Sequence, residues 1–198
     1  MSRTPNSRRE ITHERIVEVA ARVLRRNGYT GVGVADVMKE AGLTHGGFYA
    51  HFESRDALLV EALERASRES GETVSRAAQR CAGEGISGFR SLVETYLADE
   101  QLASAETGCP VAALACEIPR QSKMVREASA ARVQWLIAGV RARLPKRHRA
   151  AASLVAGTLV GSLQLARALG DNAEGRALLS TARKALISRY DAEAGASD

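Results

Sequence analysis

Apolar residues recur at helical spacing along most of the chain, and no segment alternates in the way that is typical of a strand. The first long segment has apolar residues at positions i, i+3, i+4, i+7 and i+8: Ile16, Val19, Ala20, Val23 and Leu24. This spacing predicts an amphipathic helix, and Gly28 is expected to end it as a C-terminal cap. The pattern as a whole predicts an all-α fold.

Helical spacing continues beyond this segment with few interruptions. Ser54 is expected to cap a helix that runs to about residue 80, and the glycine-containing residues 82–85 then break the pattern. Further helices are predicted at residues 86–98, 110–119, 122–144, 148–169 and 174–190. Residues 1–9 are expected to form a mobile basic arm, and residues 192–198 a frayed tail.

Residues 34–52 form the most informative segment. Val34, Val37 and Met38 give its first half an apolar face, and Gly42 is expected to end that helix and supply a turn. A second short helix follows the turn. Two short helices joined by a glycine turn are typical of a helix-turn-helix, whose second helix enters the major groove of DNA.

The second short helix, which Thr44 is expected to cap, carries little bulk. Gly46 and Gly47 would let its backbone approach a phosphate or a base edge closely. The polar side chains that remain available for hydrogen bonds to DNA are those of Thr44, His45, Tyr49 and His51.

One connected pattern of residues runs across the first four predicted helices. Its members are Ile16, Ala20, Ala21, Leu24, Gly28, Tyr29, Val34, Val37, Ala41, Gly42, Leu43, Thr44, Gly46, Phe48, Tyr49, His51, Phe52, Ser54, Arg55, Asp56 and Leu58. By this pattern the N-terminal part of the chain resembles the tetracycline-repressor (TetR/AcrR) family of bacterial regulators. In that family the first three helices bind DNA and the rest forms a dimeric effector-binding domain. The resemblance therefore implies a DNA-binding domain at residues 1–55 and an effector-binding and dimerisation domain at residues 56–198.

The chain departs from the family pattern at three positions. Val32 and Gly33 stand where hydroxyl residues are usual, so a phosphate contact from a hydroxyl is expected to be lost, and Arg55 replaces the usual lysine. Gly33 is still an acceptable N-cap, so the second helix should form. The predicted contacts with an inverted-repeat operator in double-stranded DNA are Lys39, Thr44, His45, Gly46, Gly47, Tyr49, His51 and Arg55, with Arg8 and Arg9 of the arm as further phosphate contacts.

Charge and composition agree with such a regulator. The net charge is +5, and residues 1–55 hold nine Lys and Arg against six Asp and Glu, a net of +3, which suits a polyanionic partner. No run approaches 18 apolar residues and the N-terminus is polar, so neither a membrane segment nor a signal peptide is predicted. Three cysteines without framework spacing fit a reducing compartment. The expected location is the cytoplasm.

Residues 150–169 are apolar on more than one face, and Gly157 and Gly161 lie four residues apart among them. A helix of this kind on a monomer surface would expose a large apolar patch. The pattern therefore predicts either the central helix of a bundle or a subunit interface, and both can hold on opposite faces. The resemblance places a homodimer interface on the last two long helices.

The cysteines allow a second hypothesis about regulation. Cys109 precedes Pro110, which is favoured at the first helical position, so Cys109 is expected at an N-cap where unsatisfied amides favour a thiolate. Cys116 would lie about 10 Å further along the same helix, too far for a disulfide. A Gly-Cys helix start also resembles one found in some TetR-type regulators, including an electrophile sensor. Cys109 is either a reactive sensor or a small buried residue near the effector pocket.

Trp135, the only tryptophan, is either a core residue or a pocket wall for an apolar or aromatic ligand. By position, the candidate ligand-binding residues are Phe89, Tyr96, Cys109, Leu114, Met124, Trp135 and Gln164. The effector is expected to be a small apolar or electrophilic molecule.

The sequence has no Ser-His-Asp set, no paired-carboxylate site, no phosphate loop and no His/Cys cluster with zinc spacing. No enzymatic activity, metal or cofactor is therefore predicted. The leading hypothesis is a TetR-type repressor that a small molecule releases from its operator. The alternatives are a thiol-based electrophile or redox sensor that acts through Cys109, and a helical ligand-binding protein that no longer binds DNA.

Overall fold

The computed structural model describes residues 8–82, 85–103 and 105–191. Over these residues the protein is all-α, as predicted, with no strand. The α-helices are α1 (Arg8–Asn27), α2 (Val34–Glu40), α3 (Arg55–Ala82), α4 (Gly88–Tyr96), α5 (Glu100–Ala103), α6 (Pro110–Leu114), α7 (Lys123–Arg143), α8 (Ala152–Leu169) and α9 (Ala173–Tyr190). Short 3-10 helices lie at His45–Ala50, Ile118–Arg120 and Lys146–Ala151.

The predicted helix ends of the N-terminal part are confirmed by their backbone geometry. Gly28 ends α1 with a φ of 73°, and its amide donates to the Leu24 carbonyl at 3.0 Å. Gly42 has a φ of 69° in the turn after α2, a conformation that side chains other than glycine rarely adopt. The Ser54 hydroxyl accepts a hydrogen bond from the Ala57 amide at 3.1 Å and so caps α3.

Two apolar cores share the long helix α3. The first core packs α1, α2, the 3-10 helix His45–Ala50 and α3 as far as Ala66, and Leu114 and Val125 join it from the C-terminal part. The second core packs α4, α6, α7, α8 and α9 around Val74 of α3. A shift of α3 relative to one core must therefore be felt in the other, because close-packed interiors transmit strain.

The structure corrects several predicted boundaries. Arg8 and Arg9 belong to the first turn of α1 rather than to an arm, and residues 1–7, 83–84 and 192–198 lie outside the described part of the chain. The segment 110–119 is not one helix, because α6 ends at Leu114 and a separate 3-10 turn contains Pro119. Pro119 has no N–H to donate to the carbonyl of Ala115, so a regular α-helix through this segment would lack that hydrogen bond. The short helix α5 was not predicted.

The last two long helices differ from their predicted forms at the start of α8. Residues 146–151 form a 3-10 turn, and together with α8 they make a helical stretch, Lys146–Leu169, that is long and apolar enough to cross a membrane by length and composition. From the sequence, no segment apolar enough to cross a membrane was predicted. Only 33% of its most apolar window is buried. The stretch packs against α9, α7 and α6 on one side.

A partly buried ion pair connects α1 to α3. The Arg25 side chain is almost fully buried and donates to Glu69 Oε2 at 2.8 Å. Arg65 donates to the other carboxylate oxygen at 2.6 Å. Burial alone would raise the pKa of Glu69, but the hydrogen bonds from Arg25 and Arg65 outweigh it and lower the pKa below its ordinary value.

Removing the Glu69 carboxylate should destabilise the protein strongly. Glu69→Ala leaves the Arg25 guanidinium buried and unpaired, which should lower the free energy of unfolding by about 3 kcal/mol in urea denaturation. Because the Glu69 pKa is lowered, its stabilisation is present above pH 4.5 and is lost as the pH falls through the lowered value. The difference between the wild type and the variant should therefore shrink in acid.

Glu94→Ala is the matched control. Glu94 pairs with Arg90 at 2.9 Å on the surface of α4, where both side chains are exposed. Its removal should cost less than ~1 kcal/mol. Equal losses for Glu69→Ala and Glu94→Ala would show that the partly buried pair does not hold α1 against α3.

Candidate functional site

The segment that was predicted to read DNA is a 3-10 helix, His45–Ala50, held between α2 and α3. Thr44 occupies its N-cap position, as predicted, but the threonine side chain makes no capping hydrogen bond. Phe48 anchors the segment because its ring is buried and packs on Phe52 at 5.4 Å between centroids. We call residues 44–51 the recognition segment.

The recognition segment presents most of its predicted contact residues to solvent. The Tyr49 side chain is 72% exposed although it is large and aromatic. Lys39 at the end of α2 is exposed too. Of the remaining predicted contacts, Thr44, His45 and Gly46 are exposed, whereas Gly47, His51 and Arg55 are half-buried.

The end of the recognition segment contacts α1 through His51 and Arg9. Burial, together with the nearby His13 and Arg9, lowers the pKa of His51, so that its imidazole is neutral at neutral pH. Arg9 donates to the carbonyl of Ala50 at 2.7 Å and so holds the end of the segment against α1. Arg9 is therefore a positioning residue in the structure rather than part of a free arm.

Arg55 also contacts the protein itself. Its guanidinium donates to the carbonyl of Val32 at 2.9 Å and to that of Tyr29. These contacts hold the loop between α1 and α2 on the start of α3, so the structure favours a positioning role for Arg55 over the predicted phosphate contact. The Val32 side chain is buried in the first core, which gives a packing reason for an apolar residue at this departure from the family pattern.

Tyr29 joins the N-terminal helices to the C-terminal ones. Its amide donates to Glu117 Oε2 at 3.0 Å, and its hydroxyl lies 2.7 Å from the Ser129 hydroxyl on α7. The Ser129 hydroxyl donates its hydrogen to the carbonyl of Val125 at 2.6 Å. In the bond between the two hydroxyls, Tyr29 is therefore the donor and Ser129 the acceptor. Burial raises the pKa of Tyr29, which keeps that proton in place. We call Tyr29, Glu117 and Ser129 the junction.

Sequence reasoning missed the partners in the junction. Glu117 and Ser129 lie 88 and 100 residues from Tyr29, and no local spacing marks either of them. A side chain at Gly28 would overlap the Glu117 carboxylate, so this glycine also permits the close approach of the two halves.

A cavity of about 540 Å³ lies between α3, α4, the start of α6 and α7. Three predicted ligand-binding residues line it, namely Tyr96, Cys109 and Trp135. Four do not: Phe89 belongs to the second core, Leu114 to the first core, Met124 is exposed at the start of α7, and Gln164 lies on α8. The size suits a drug-sized organic molecule.

Trp135 lies against the backbone of α3 at Gly71. A Cβ atom at Gly71 would overlap the indole ring, and glycine within a helix costs about 1 kcal/mol relative to alanine. The close approach of Trp135 therefore gives a reason for a glycine in the middle of α3. Because the Trp135 side chain remains 49% exposed, it is a cavity wall rather than a core residue. Sequence reasoning missed Gly71.

Cys109 caps α6 with Pro110 at the first helical position, as predicted, but its environment does not favour a reactive thiol. Its side chain makes no capping hydrogen bond, and α6 has only five residues. Cys109 is buried beside Tyr96, whereas Cys116 is exposed and lies outside α6. Burial raises the pKa of Tyr96 well above its ordinary value. The thiol-sensing alternative is therefore not favoured by this geometry.

No group of three or more His, Cys, Asp or Glu side chains within the described ranges could hold a metal ion. What the described residues combine is an exposed helix-turn-helix, a long shared helix and a cavity in a separate helical bundle.

Residues 16–62 match the family model of bacterial regulatory proteins of the tetR family. The N-terminal part of the chain thus belongs to the TetR family of bacterial transcriptional regulators. Regulators of the TetR family bind DNA and typically dimerise, and they are normally cytoplasmic. The family is one of transcriptional regulators rather than of enzymes.

Similar proteins come from several bacteria. The transcriptional regulator LmrA of Bacillus subtilis is 29% identical over 121 residues, which cover 59% of this chain and 62% of LmrA. The uncharacterised regulator MT0206 of Mycobacterium tuberculosis is 29% identical over 172 residues, 80% of this chain and 85% of MT0206. The structure of Escherichia coli NemR in its reduced form has the same TetR-family fold, with a TM-score of 0.74 at 18% identity over 93% of this chain and all of NemR.

Replacing Lys39 or Arg55 by methionine should affect different properties, namely DNA binding for Lys39 and stability for Arg55. Lys39→Met should leave thermal stability unchanged, because the side chain is exposed. It should reduce the salt slope of DNA binding by about one, as expected for a lysine that is predicted to contact a phosphate. Arg55→Met removes charge-assisted hydrogen bonds to two carbonyls and should lower the free energy of unfolding by about 2–3 kcal/mol. Fluorescence anisotropy across a salt series and urea denaturation measure the two effects. A stable Arg55→Met variant with a reduced salt slope would restore the phosphate contact first predicted for Arg55.

Proposed function

We propose that this TetR-family regulator is a homodimeric repressor that binds an inverted-repeat operator and releases it when a small-molecule effector occupies the cavity. The observation that carries the proposal is that α7 contributes both to the cavity and to the junction with the N-terminal helices. The proposed domains are residues 1–55 for DNA binding and 56–198 for effector binding and dimerisation. The first core extends along α3 as far as Ala66, so the start of α3 packs with the DNA-binding helices and the rest packs with the second core.

The recognition segment suits a major groove. Thr44, His45 and Tyr49 are exposed and carry hydrogen-bonding tips. A Cβ atom at Gly46 would meet nothing within 4 Å, so the backbone there faces open space and can approach a phosphate or a base edge. Lys39 and Arg8 are exposed and add positive charge on the same part of the protein. Phosphate contacts of this kind set the register, and the few base contacts set the sequence preference.

The path from the cavity to the DNA-binding helices is short. Trp135 at the cavity and Ser129 in the junction lie six residues apart on α7, about 9 Å along a helix. A ligand that displaces α7 would therefore also displace the partner of Tyr29. For this to release DNA, the ligand must bind the two forms of the dimer with different affinity, because only differential binding shifts a population.

The outer face of α8 supports the proposed dimer interface. Leu154 and Leu165 are each 61% exposed, and Leu169 is exposed as well. On the same helix, Cβ atoms at Gly157 and Gly161 would meet nothing within 4 Å. A second helix could pack closely on such a surface, and it would cover apolar area that a monomer rarely exposes. This burial would also explain why the composition of the stretch resembles a membrane span.

Alanine substitutions in the recognition segment should weaken specific DNA binding without unfolding the protein. Tyr49→Ala and Thr44→Ala should each weaken binding to the DNA upstream of its own gene by tenfold or more, since one base contact contributes about 1–3 kcal/mol. Footprinting and thermal melting measure the two properties. Thr73→Ala, an exposed threonine on α3, is the matched control. Wild-type footprints from both test variants would show that these residues do not contact the operator.

A charge on the outer face of α8 should break the dimer. Leu165→Glu or Gly161→Glu should give a monomer in sedimentation velocity and lose operator binding in parallel, because an interface cannot bury an unpaired charge cheaply. Leu163 is unsuitable for this test since it is buried in the core of its own subunit. Gln79→Glu, on the exposed face of α3, should remain a dimer. If Leu165→Glu and Gly161→Glu also sediment as dimers, the interface lies elsewhere.

A further inference from the structure

A guanidinium that has no partner in the described structure lines the cavity. Nε of Arg132 on α7 is buried and has no hydrogen-bond partner. Across the described ranges, Arg132 forms no ion pair with any carboxylate. A guanidinium has donors and no acceptor, so only a group with acceptor atoms can satisfy it. A buried donor without a partner is costly, and such a group in a native structure calls for an explanation.

The rest of the cavity has a charged side and an apolar side. The charged residues that line it are Glu64, Arg68, Glu72, Arg132 and Arg143, a net charge of +1. Both glutamates are exposed, and neither pairs with an arginine in the described structure. The apolar residues that line the cavity are Val74, Leu92, Val111, Trp135, Leu136 and Val140. The Tyr96 hydroxyl, also buried in the lining, adds a further hydrogen-bonding group beside Cys109.

We propose that the cavity binds an amphipathic organic anion, with its carboxylate or sulfonate on Arg132 and its flat apolar body against Trp135. The proposal names the chemical class of the effector and rests on the proposed function only in taking this cavity as the effector site. A charge-assisted hydrogen bond to a guanidinium is stronger than a neutral one and fixes the orientation of the ligand. The apolar body contributes by burying surface against the aromatic wall.

The alternatives fit the cavity less well. A cation would place like charges near Arg132 in a partly buried site, where repulsion is poorly screened. A neutral apolar molecule would cover Trp135 but leave the Arg132 guanidinium without a counter-charge. An anion is the class that pairs with this guanidinium while the opposite wall buries the apolar part.

Two fluorescent probes that differ by one charged group test this proposal. 8-Anilinonaphthalene-1-sulfonate is the amphipathic anion, and N-phenyl-1-naphthylamine has the same aromatic body without the sulfonate. Trp135 is the only tryptophan, so quenching of its emission reports binding beside it. Arg132→Gln should weaken binding of the sulfonate at least tenfold and change that of the neutral amine less than twofold. Arg141→Gln, an exposed arginine on the same helix, should change neither.

A steric variant locates the probe. A Cβ atom at Gly139 would lie 3.7 Å from the end of Arg143 and meet nothing closer, so Gly139→Leu should fold and fill the cavity that it lines. Both probes should then be lost. Thermal melting checks that each variant folds, and Arg132→Lys, which keeps the charge, should retain more sulfonate binding than Arg132→Gln.

Two results would overturn the anion site. One is sulfonate affinity within twofold of wild type in folded Arg132→Gln, and the other is undiminished quenching in folded Gly139→Leu. DNA binding is measured separately by anisotropy. Loss of the anion site with intact operator binding refutes this inference alone. Arg132-dependent binding by a protein that never binds operator DNA refutes the proposed function and leaves the anion site standing.

Discussion

The arrangement of this regulator depends on the hydrogen bonds around Tyr29. Through its amide, hydroxyl and carbonyl, this fully buried residue binds Glu117, Ser129 and Arg55. The first two partners come from the C-terminal bundle and the third from the start of α3. Inside a protein, an unmade hydrogen bond of this kind costs the desolvation of the group that is left alone. The DNA-binding helices are thereby held in one position against the bundle.

This constraint gives the long helices their functional importance. α3 contributes to both cores, and α7 contributes Ser129 to the junction and Trp135 to the cavity wall. If a ligand displaced either helix, the hydrogen bonds of Tyr29 with Arg55 of α3 or Ser129 of α7 would change as well. The recognition segment, with its short 3-10 geometry, relies on neighbours such as Arg9 and Phe52 for its position. Its orientation is thus set by the bundle as much as by its own residues.

Much of the fold could be predicted because helix ends and buried helix faces are marked by residues that lie close together in the sequence. Glycines with positive φ end α1 and follow α2, a serine caps α3, and apolar residues at helical spacing mark the faces that are buried. The same spacing identified the two-sided character of α8, whose inner face is core and whose outer face is exposed. For Cys109 the sequence left two alternatives open, a reactive thiol and a buried residue near the pocket, because burial depends on which helices pack over it. The structure shows Cys109 buried in the cavity lining.

The sequence by itself determined the all-α class, the helix-turn-helix and the resemblance to the TetR family. The first two rest on contacts between residues close together in the chain, and the third rests on the pattern of residue types in the N-terminal part. Only the tertiary structure decided what Arg55 and Arg132 contact. Arg55 binds two backbone carbonyls instead of standing free, and Arg132 lies with an unsatisfied nitrogen in a cavity. A long basic side chain looks the same in a sequence whether it faces solvent, a carbonyl or a ligand. Its role is set by partners that come from distant helices, and packing alone brings these together.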